Sequence, residues 1–224
     1  MHKACVVHFF RLRVTANKNI LFLTNIRFFP MSLPIVLASS SPYRQQILER
    51  SGFIFESCSP DIDETPEINE SASALVERLS LLKAQAIAGK YPDSLIIGSD
   101  QISAHNGEIF GKPSNRNDAV RQLTLASGNV VILYTGLTLL NSKTGTRQST
   151  VDTYEVVTRE LSIERIRRYV DTEKPYDCCG SLKVEGSGIC LLKKLTGTDP
   201  NTLMGLPLLR LIDMLENEGV NLPV

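Results

Sequence analysis

From residue 33 onward, the pattern of apolar and polar residues alternates between the spacing of strands and that of helices. Short apolar runs at residues 35–38 and 95–100 predict buried strands, the second of which ends in the carboxylate of Asp100. Apolar residues recur at helical spacing over residues 72–89, and Lys83 falls on their apolar stripe. An Asn-Gly pair at residues 106–107, between two short strand-like runs, predicts a two-residue hairpin turn.

Capping residues mark the first helix. Ser41 suits an N-cap, Pro42 suits the first helical position and Gly52 suits the stop, so a helix is predicted over residues 42–51. Further helices are predicted over residues 117–126, 162–170 and 202–216, and further strands over residues 130–140, 149–158 and 181–192. Hairpins combined with crossover helices predict an α/β fold with a mixed β-sheet and flanking helices.

The first thirty residues differ from the rest because they contain basic residues and no acidic one. Their apolar runs are too short to span a bilayer, and no small-residue cleavage site follows them. We expect residues 1–30 to be an extension outside the domain, with Met31 as the true start and residues 31–224 as the domain. An amphipathic transit peptide is the alternative.

Charge and cysteine content narrow the class of protein. Lys and Arg together number 24, as do Asp and Glu, so no overall field favours nucleic acid or a membrane surface as a partner. Five cysteines without a CxxC motif argue against both a disulfide framework and a zinc site. We expect a cytoplasmic protein whose anion site, if it has one, is local.

The corner between the first strand and the first helix has the features of a phosphate site. Ser39 and its neighbours supply hydroxyls, the helix start supplies backbone N–H groups, and Arg44 can grip phosphate oxygens in a bidentate manner. On these residues alone, a serine-rich turn with a good cap is an equally good interpretation.

Two carboxylates and three lysines complete the candidate chemistry. Glu64 and Asp100 could share Mg²⁺ or Mn²⁺, although an ordinary acidic loop is the commoner explanation for residues 61–64. Lys83 could reach a phosphate from within a cleft, or could extend along the edge of its stripe to solvent. Lys112 and Lys183 are weak signals individually, since the first fits a simple turn and the second a solvated strand pair.

Together these residues resemble the Maf family of nucleotide pyrophosphatases, from about residue 33 to the closing helix. The matching motifs, in order, are Leu-Ala-Ser-x-Ser-Pro-x-Arg at 37–44, Pro-x-Ile-Asp-Glu at 60–64, Lys-Ala at 83–84, Gly-Ser-Asp at 98–100, Gly-Lys-Pro at 111–113, Ser-Gly at 127–128, Gly-Ser-x-Lys-x-Glu-Gly at 180–186 and Asp-Pro-Asn-Thr-Leu-x-Gly-Leu-Pro at 199–207.

The resemblance implies a two-lobed fold with a central cleft, like that of inosine triphosphate pyrophosphatases, and a homodimer. It also implies hydrolysis of a nucleoside triphosphate to the monophosphate and pyrophosphate, with Asp100 as general base. Our hypothesis is that Glu64 and Asp100 hold the divalent metal. The residues expected to bind phosphate are Ser39, Arg44, Lys83, Lys112 and Lys183.

Base preference is implied by Tyr43, Gln101 and Glu185, which occupy the positions that separate the family's subgroups. They resemble the aromatic, Gln and Glu of members acting on 7-methyl-GTP, although a tryptophan is the aromatic expected there. A carboxylate can accept the N–H donors of 7-methylguanine and offset its charge, while Tyr43 can stack on the cationic ring. The alternatives are dTTP and UTP as substrates, or a nucleotide-binding regulator of cell division without catalysis.

Overall fold

The computed structural model describes residues 33–223. Within them, seven strands form one sheet in the order β2-β1-β3-β5-β6-β7, with β4 paired to the far end of β3. The strands are β1 (Ile35–Ala38), β2 (Phe55–Ser57), β3 (Leu95–His105), β4 (Glu108–Phe110), β5 (Val130–Asn141), β6 (Arg147–Thr158) and β7 (Leu192–Thr196). Strand β1 runs parallel to β2 and β3, whereas the other neighbours are antiparallel, which confirms the predicted mixed sheet.

Helices cover both faces of this sheet. They are α1 (Pro42–Arg50), α2 (Ala72–Ala88), α3 (Arg116–Ala126), α4 (Ile163–Glu173) and α5 (Leu208–Asn217). Side chains alternate along β1, so that Leu37 packs with α1 and α5 while Val36 packs with α2. A second core lies at the other end of the sheet, where α3 and α4 pack against β5, β6 and β7. The described helices are all too short or too polar to span a membrane.

The cap signals produced the expected first helix. Ser41 accepts a hydrogen bond from the Arg44 backbone at 3.5 Å, Pro42 begins α1, and Gly52 has a φ of 76°. The Asn-Gly hairpin is also confirmed, because Asn106 and Gly107 both have positive φ between β3 and β4.

Helix α2 approaches the sheet unusually closely. A Cβ at Gly98 would overlap the carbonyl oxygen of Ser80, and a Cβ at Gly136 would overlap that of Val76. Asp100 pairs with Gly136 and lies on the same face of β3 as Gly98, because side chains alternate along a strand. The absence of side chains at the two glycines therefore allows α2 to pack directly over Asp100.

Three expectations from the sequence were wrong. Strand β3 does not end at Asp100 but continues to His105, since its pairing with β5 extends to Ala104. Residues 181–192 do not form a strand: they form two 3₁₀ turns, Cys179–Ser181 and Ser187–Leu191, interrupted by glycines whose missing side chains permit the tight backbone path.

The third wrong expectation was a single helix over residues 202–216. Pro200–Met204 is a 3₁₀ turn, Gly205 has a φ of 87°, and α5 begins only after Pro207. Glycine in the left-handed region ends the turn, and a proline disfavours helical backbone in the residue before it. Strand β2 was not predicted, because three residues are too few for a periodic signal.

Candidate active site

A cavity of about 530 Å³ opens between the two ends of the sheet. Its size falls within the range of small-molecule sites. Its charged lining residues are Arg44, Glu64, Lys83, Asp100, Lys112, Asp177 and Glu185, and apolar side chains such as Leu75, Leu79, Ile102 and Leu182 line the rest. Most of the residues singled out from the sequence therefore meet at one place.

Lys83 connects the two acidic residues of the site. It is only 7% exposed, and its Nζ lies 2.5 Å from Asp100 Oδ1 and 2.8 Å from Glu64 Oε1. The contact is possible because α2 packs closely on β3 and points this lysine at the middle of the strand. Lys83 does not extend to solvent, which rules out that interpretation of its place on the apolar stripe.

Arg44 is held by the protein on one side and faces the cavity on the other. Its Nε donates to the Gly205 carbonyl at 2.7 Å, and its Nη1 donates to Ser39 Oγ at 3.2 Å. Burial lowers the pKa of the guanidinium, and the charges of Asp100 and Glu64 oppose that shift. Ser39 is itself buried and does not line the cavity, so its hydroxyl positions Arg44.

The two weaker lysine signals have different outcomes. Lys112 is exposed and lines the cavity. Lys183 is not among the lining residues: its Nζ lies 3.8 Å from Glu173 Oε2 on α4. The structure thus places Lys112 with the site and does not bring Lys183 to it.

The side chains of Gln101 and Asp100 lie on opposite faces of β3, because they are successive residues of the strand. Its Nε2 donates to Thr135 Oγ1 at 2.9 Å and to the Thr202 carbonyl at 2.6 Å. Because a carbonyl oxygen can only accept, these contacts fix the amide orientation and direct Oε1 away as an acceptor. Gln101 can therefore accept a hydrogen bond from a ligand in the cavity.

Glu185 lies on a segment that helix α4 holds in place. The Lys183 backbone N–H donates to the Tyr169 hydroxyl at 2.8 Å, which in turn donates to the Ser181 carbonyl at 3.2 Å. Ser187 donates its backbone N–H to Glu173 Oε1 at 2.8 Å. Glu185, between these anchors, is exposed and lines the cavity.

Asp177 and Cys179 are lining residues that the sequence did not single out. Asp177 Oδ2 accepts a hydrogen bond from the Tyr43 hydroxyl at 2.8 Å. The Cys179 thiol donates to the Gln101 carbonyl at 2.9 Å, and burial followed by the charge of Asp100 raises its pKa to about 11. Neither residue stands in a pattern that predicts a role, since both lie in an irregular segment.

The carboxylates suit a divalent ion in their chemistry. Among the described residues, no group of three or more His, Cys, Asp or Glu side chains could hold a metal. Glu64 and Asp100 nevertheless converge on one point, that of the Lys83 ammonium, and each gives it a single oxygen. Magnesium is commonly held by one or two carboxylates with substrate phosphates and water, so this pair fits such an ion.

Comparison with known proteins places the chain in a family. The Maf-like protein profile matches residues 34–218. A 7-methyl-GTP pyrophosphatase of Pseudomonas aeruginosa is 51% identical over 189 residues, covering 84% of this chain and 98% of the relative. A protein of the same name from Vibrio parahaemolyticus is 52% identical over 185 residues, covering 83% of this chain and 95% of the relative. The chain therefore belongs to the Maf-like protein family.

Proposed function

We propose that this protein is a nucleoside triphosphate pyrophosphatase that hydrolyses 7-methyl-GTP to 7-methyl-GMP and pyrophosphate. The observation that carries the proposal is the Lys83 ammonium between Asp100 and Glu64 in a cavity that also contains Arg44 and Lys112. Relatives named for this activity, at 51% and 52% identity, support the same substrate.

Hydrolysis requires a water oxygen to attack the α phosphorus while the bond to the bridging oxygen of the β phosphate breaks. In the proposed mechanism, Asp100 orients the water and takes its proton, and pyrophosphate leaves. Arg44, Lys83 and Lys112 stabilise the negative charge on the phosphate oxygens. A divalent ion held by Glu64 and Asp100 would neutralise further phosphate charge when bound.

Base recognition is assigned to three other lining residues, Tyr43, Gln101 and Glu185. Tyr43 would stack on the base, Gln101 would accept through Oε1, and Glu185 would accept from the base N–H donors. We further propose a homodimer, a cytoplasmic location and a domain over residues 31–224, as the sequence predicts.

The test is pyrophosphate release with magnesium or manganese across 7-methyl-GTP, GTP, UTP and dTTP. Asp100→Asn should lower kcat by about 10²–10⁴-fold, the usual contribution of a positioned general base. Asp213→Asn removes one charge from an exposed site on α5 outside the cavity and serves as the matched control.

Each outcome is decisive. Turnover that prefers 7-methyl-GTP in the wild type and is lost in Asp100→Asn supports both substrate and mechanism. Preference for UTP and dTTP would overturn the substrate assignment alone. Nucleotide binding without turnover in the wild type would favour a regulator over an enzyme.

A further inference from the structure

Charged side chains are unequally distributed along the cavity. Two consecutive lining cysteines have different charged neighbours. The pKa of Cys178 is raised to about 12, chiefly by burial and further by the charges of Asp177 and Glu185. Cys179 instead responds to Asp100, Arg44, Lys112 and Lys83. The charged side chains that act on Cys178 are thus acidic, whereas those that act on Cys179 include all three cationic lining residues together with Asp100.

A hydrogen bond joins two lining residues, Tyr43 and Asp177. Tyr43 belongs to α1, whereas Asp177 follows α4 by four residues, so the bond joins segments 134 positions apart. Burial, followed by the bond to Asp177, raises the pKa of the Tyr43 phenol, so the hydroxyl keeps its proton and donates. Although burial opposes ionisation of Asp177, its hydrogen bonds, above all that from Tyr43, lower its pKa. The pair is therefore a charge-assisted hydrogen bond.

We propose that Asp177 is a specificity-determining residue: its carboxylate fixes the Tyr43 ring, to which we assign the base, and with Glu185 favours a cationic base over a neutral one. The inference deepens the proposed function and depends on it. Asp177 is thereby expected to set the ratio of kcat/KM for the methylated substrate to kcat/KM for the unmethylated one.

Two physical effects act in the same direction. A phenol that donates to a carboxylate becomes more electron-rich, so its ring face attracts a cation more strongly. The exposed carboxylate of Asp177 also attracts the positive charge of 7-methylguanine directly, and solvent screens part of that attraction. A ligand with an anionic phosphate chain and a cationic base can use both the cationic lining residues and the carboxylates of Asp177 and Glu185, whereas GTP lacks the cationic base.

A purely structural role for Asp177 has a different signature. If the bond only anchored the segment before Cys179, its loss would lower kcat/KM for every nucleotide in the same proportion. A role in specificity changes the ratio of kcat/KM for 7-methyl-GTP to that for GTP. The ratio, and not the activity, is therefore the informative quantity.

The experiment compares Asp177→Asn with the wild type and with Asp213→Asn, which removes the same charge outside the cavity. Asparagine keeps the size of the side chain and can still accept from Tyr43, so the charge alone is removed. We expect the 7-methyl-GTP to GTP ratio to fall roughly three- to tenfold, the range of one partly screened charge contact. Asp213→Asn should leave the ratio unchanged.

A second measurement separates this inference from the proposed function. Calorimetry with 7-methyl-GMP and GMP gives the ratio of dissociation constants without any turnover. If the wild type hydrolyses neither triphosphate, the proposed function fails, and the binding ratio still decides the role of Asp177. If the wild type prefers the methylated nucleotides and Asp177→Asn keeps the same ratios, the inference is overturned while the proposed function stands.

Discussion

Lys83 occupies a position that charged side chains rarely take, on the sheet-facing side of a helix. Removing a charge from water is unfavourable, and the two carboxylates beside Lys83 offset that penalty. Asp100 is equally buried, so each member of this pair depends on the other. Glu64 is less dependent, because its side chain is 58% exposed.

Lys83→Met should destabilise the protein by about 1–3 kcal/mol, because it leaves the buried carboxylate of Asp100 without its cation. The double variant Lys83→Met/Asp100→Asn should recover part of that loss, since no unpaired buried charge remains. Urea unfolding of both variants measures the difference. Lys112→Met is the matched control: its exposed side chain should change stability by less than about 0.5 kcal/mol. A double variant less stable than Lys83→Met would contradict this account of the pair.

Helix α2 positions Lys83 against the Asp100 side chain of β3. Its approach to β3 requires the missing side chain of Gly98, because a Cβ there would overlap the Ser80 carbonyl oxygen and come within 3.1 Å of Ala84 Cβ. A backbone carbonyl cannot rotate away as the end of a long side chain can. The distance between Lys83 and Asp100 is therefore set by the packing of the two elements.

Gly98→Ala should lower stability by about 1–3 kcal/mol through overpacking. It should also reduce pyrophosphate release, since a displaced α2 moves Lys83 away from Asp100. Gly89→Ala is a matched control at the end of the same helix, where a Cβ meets nothing within 4 Å and φ is −65°. It should be neutral or slightly stabilising. Thermal unfolding and activity of the two variants test the prediction, and equal effects would refute it.

Elements with a regular period were predictable from the sequence, and those that depend on distant contacts were not. Helix α2 and strand β1 have clear periodicity and were predicted within one residue. Residues 181–192 look strand-like, but close contact of Gly188 with the Lys183 backbone folds them into turns. The same limit applies to the site. Arg44 and Lys83 stand in local patterns, whereas Asp177 meets Tyr43, 134 positions away, through a contact that no local pattern predicts.

A loop of residues 58–71 connects β2 to α2 and contains Glu64, so the geometry of the site depends on where this loop lies. Arg78 on α2 anchors this loop through Glu70, with Nε to Oε1 and Nη2 to Oε2 both at 2.7 Å, and through the Thr65 carbonyl at 3.1 Å. A bidentate pair of this kind is geometrically specific. The ionised state of Glu70 therefore helps to keep the domain and its site assembled.

This arrangement makes a defined contribution to acid stability. The hydrogen bonds from Arg78 lower the pKa of Glu70 from 4.5 to about 2. A carboxylate with a lowered pKa stabilises the folded state above its unfolded value, and that stabilisation is lost as pH falls through the folded value. The melting temperature of Glu70→Gln should therefore lie below that of the wild type at pH 6, and the gap should narrow from about pH 4.5 and close near pH 2. Glu77→Gln, an exposed neighbour on α2, should follow the wild type throughout. A gap that stays constant down to pH 2 would mean that the charge of Glu70 is not what holds the loop.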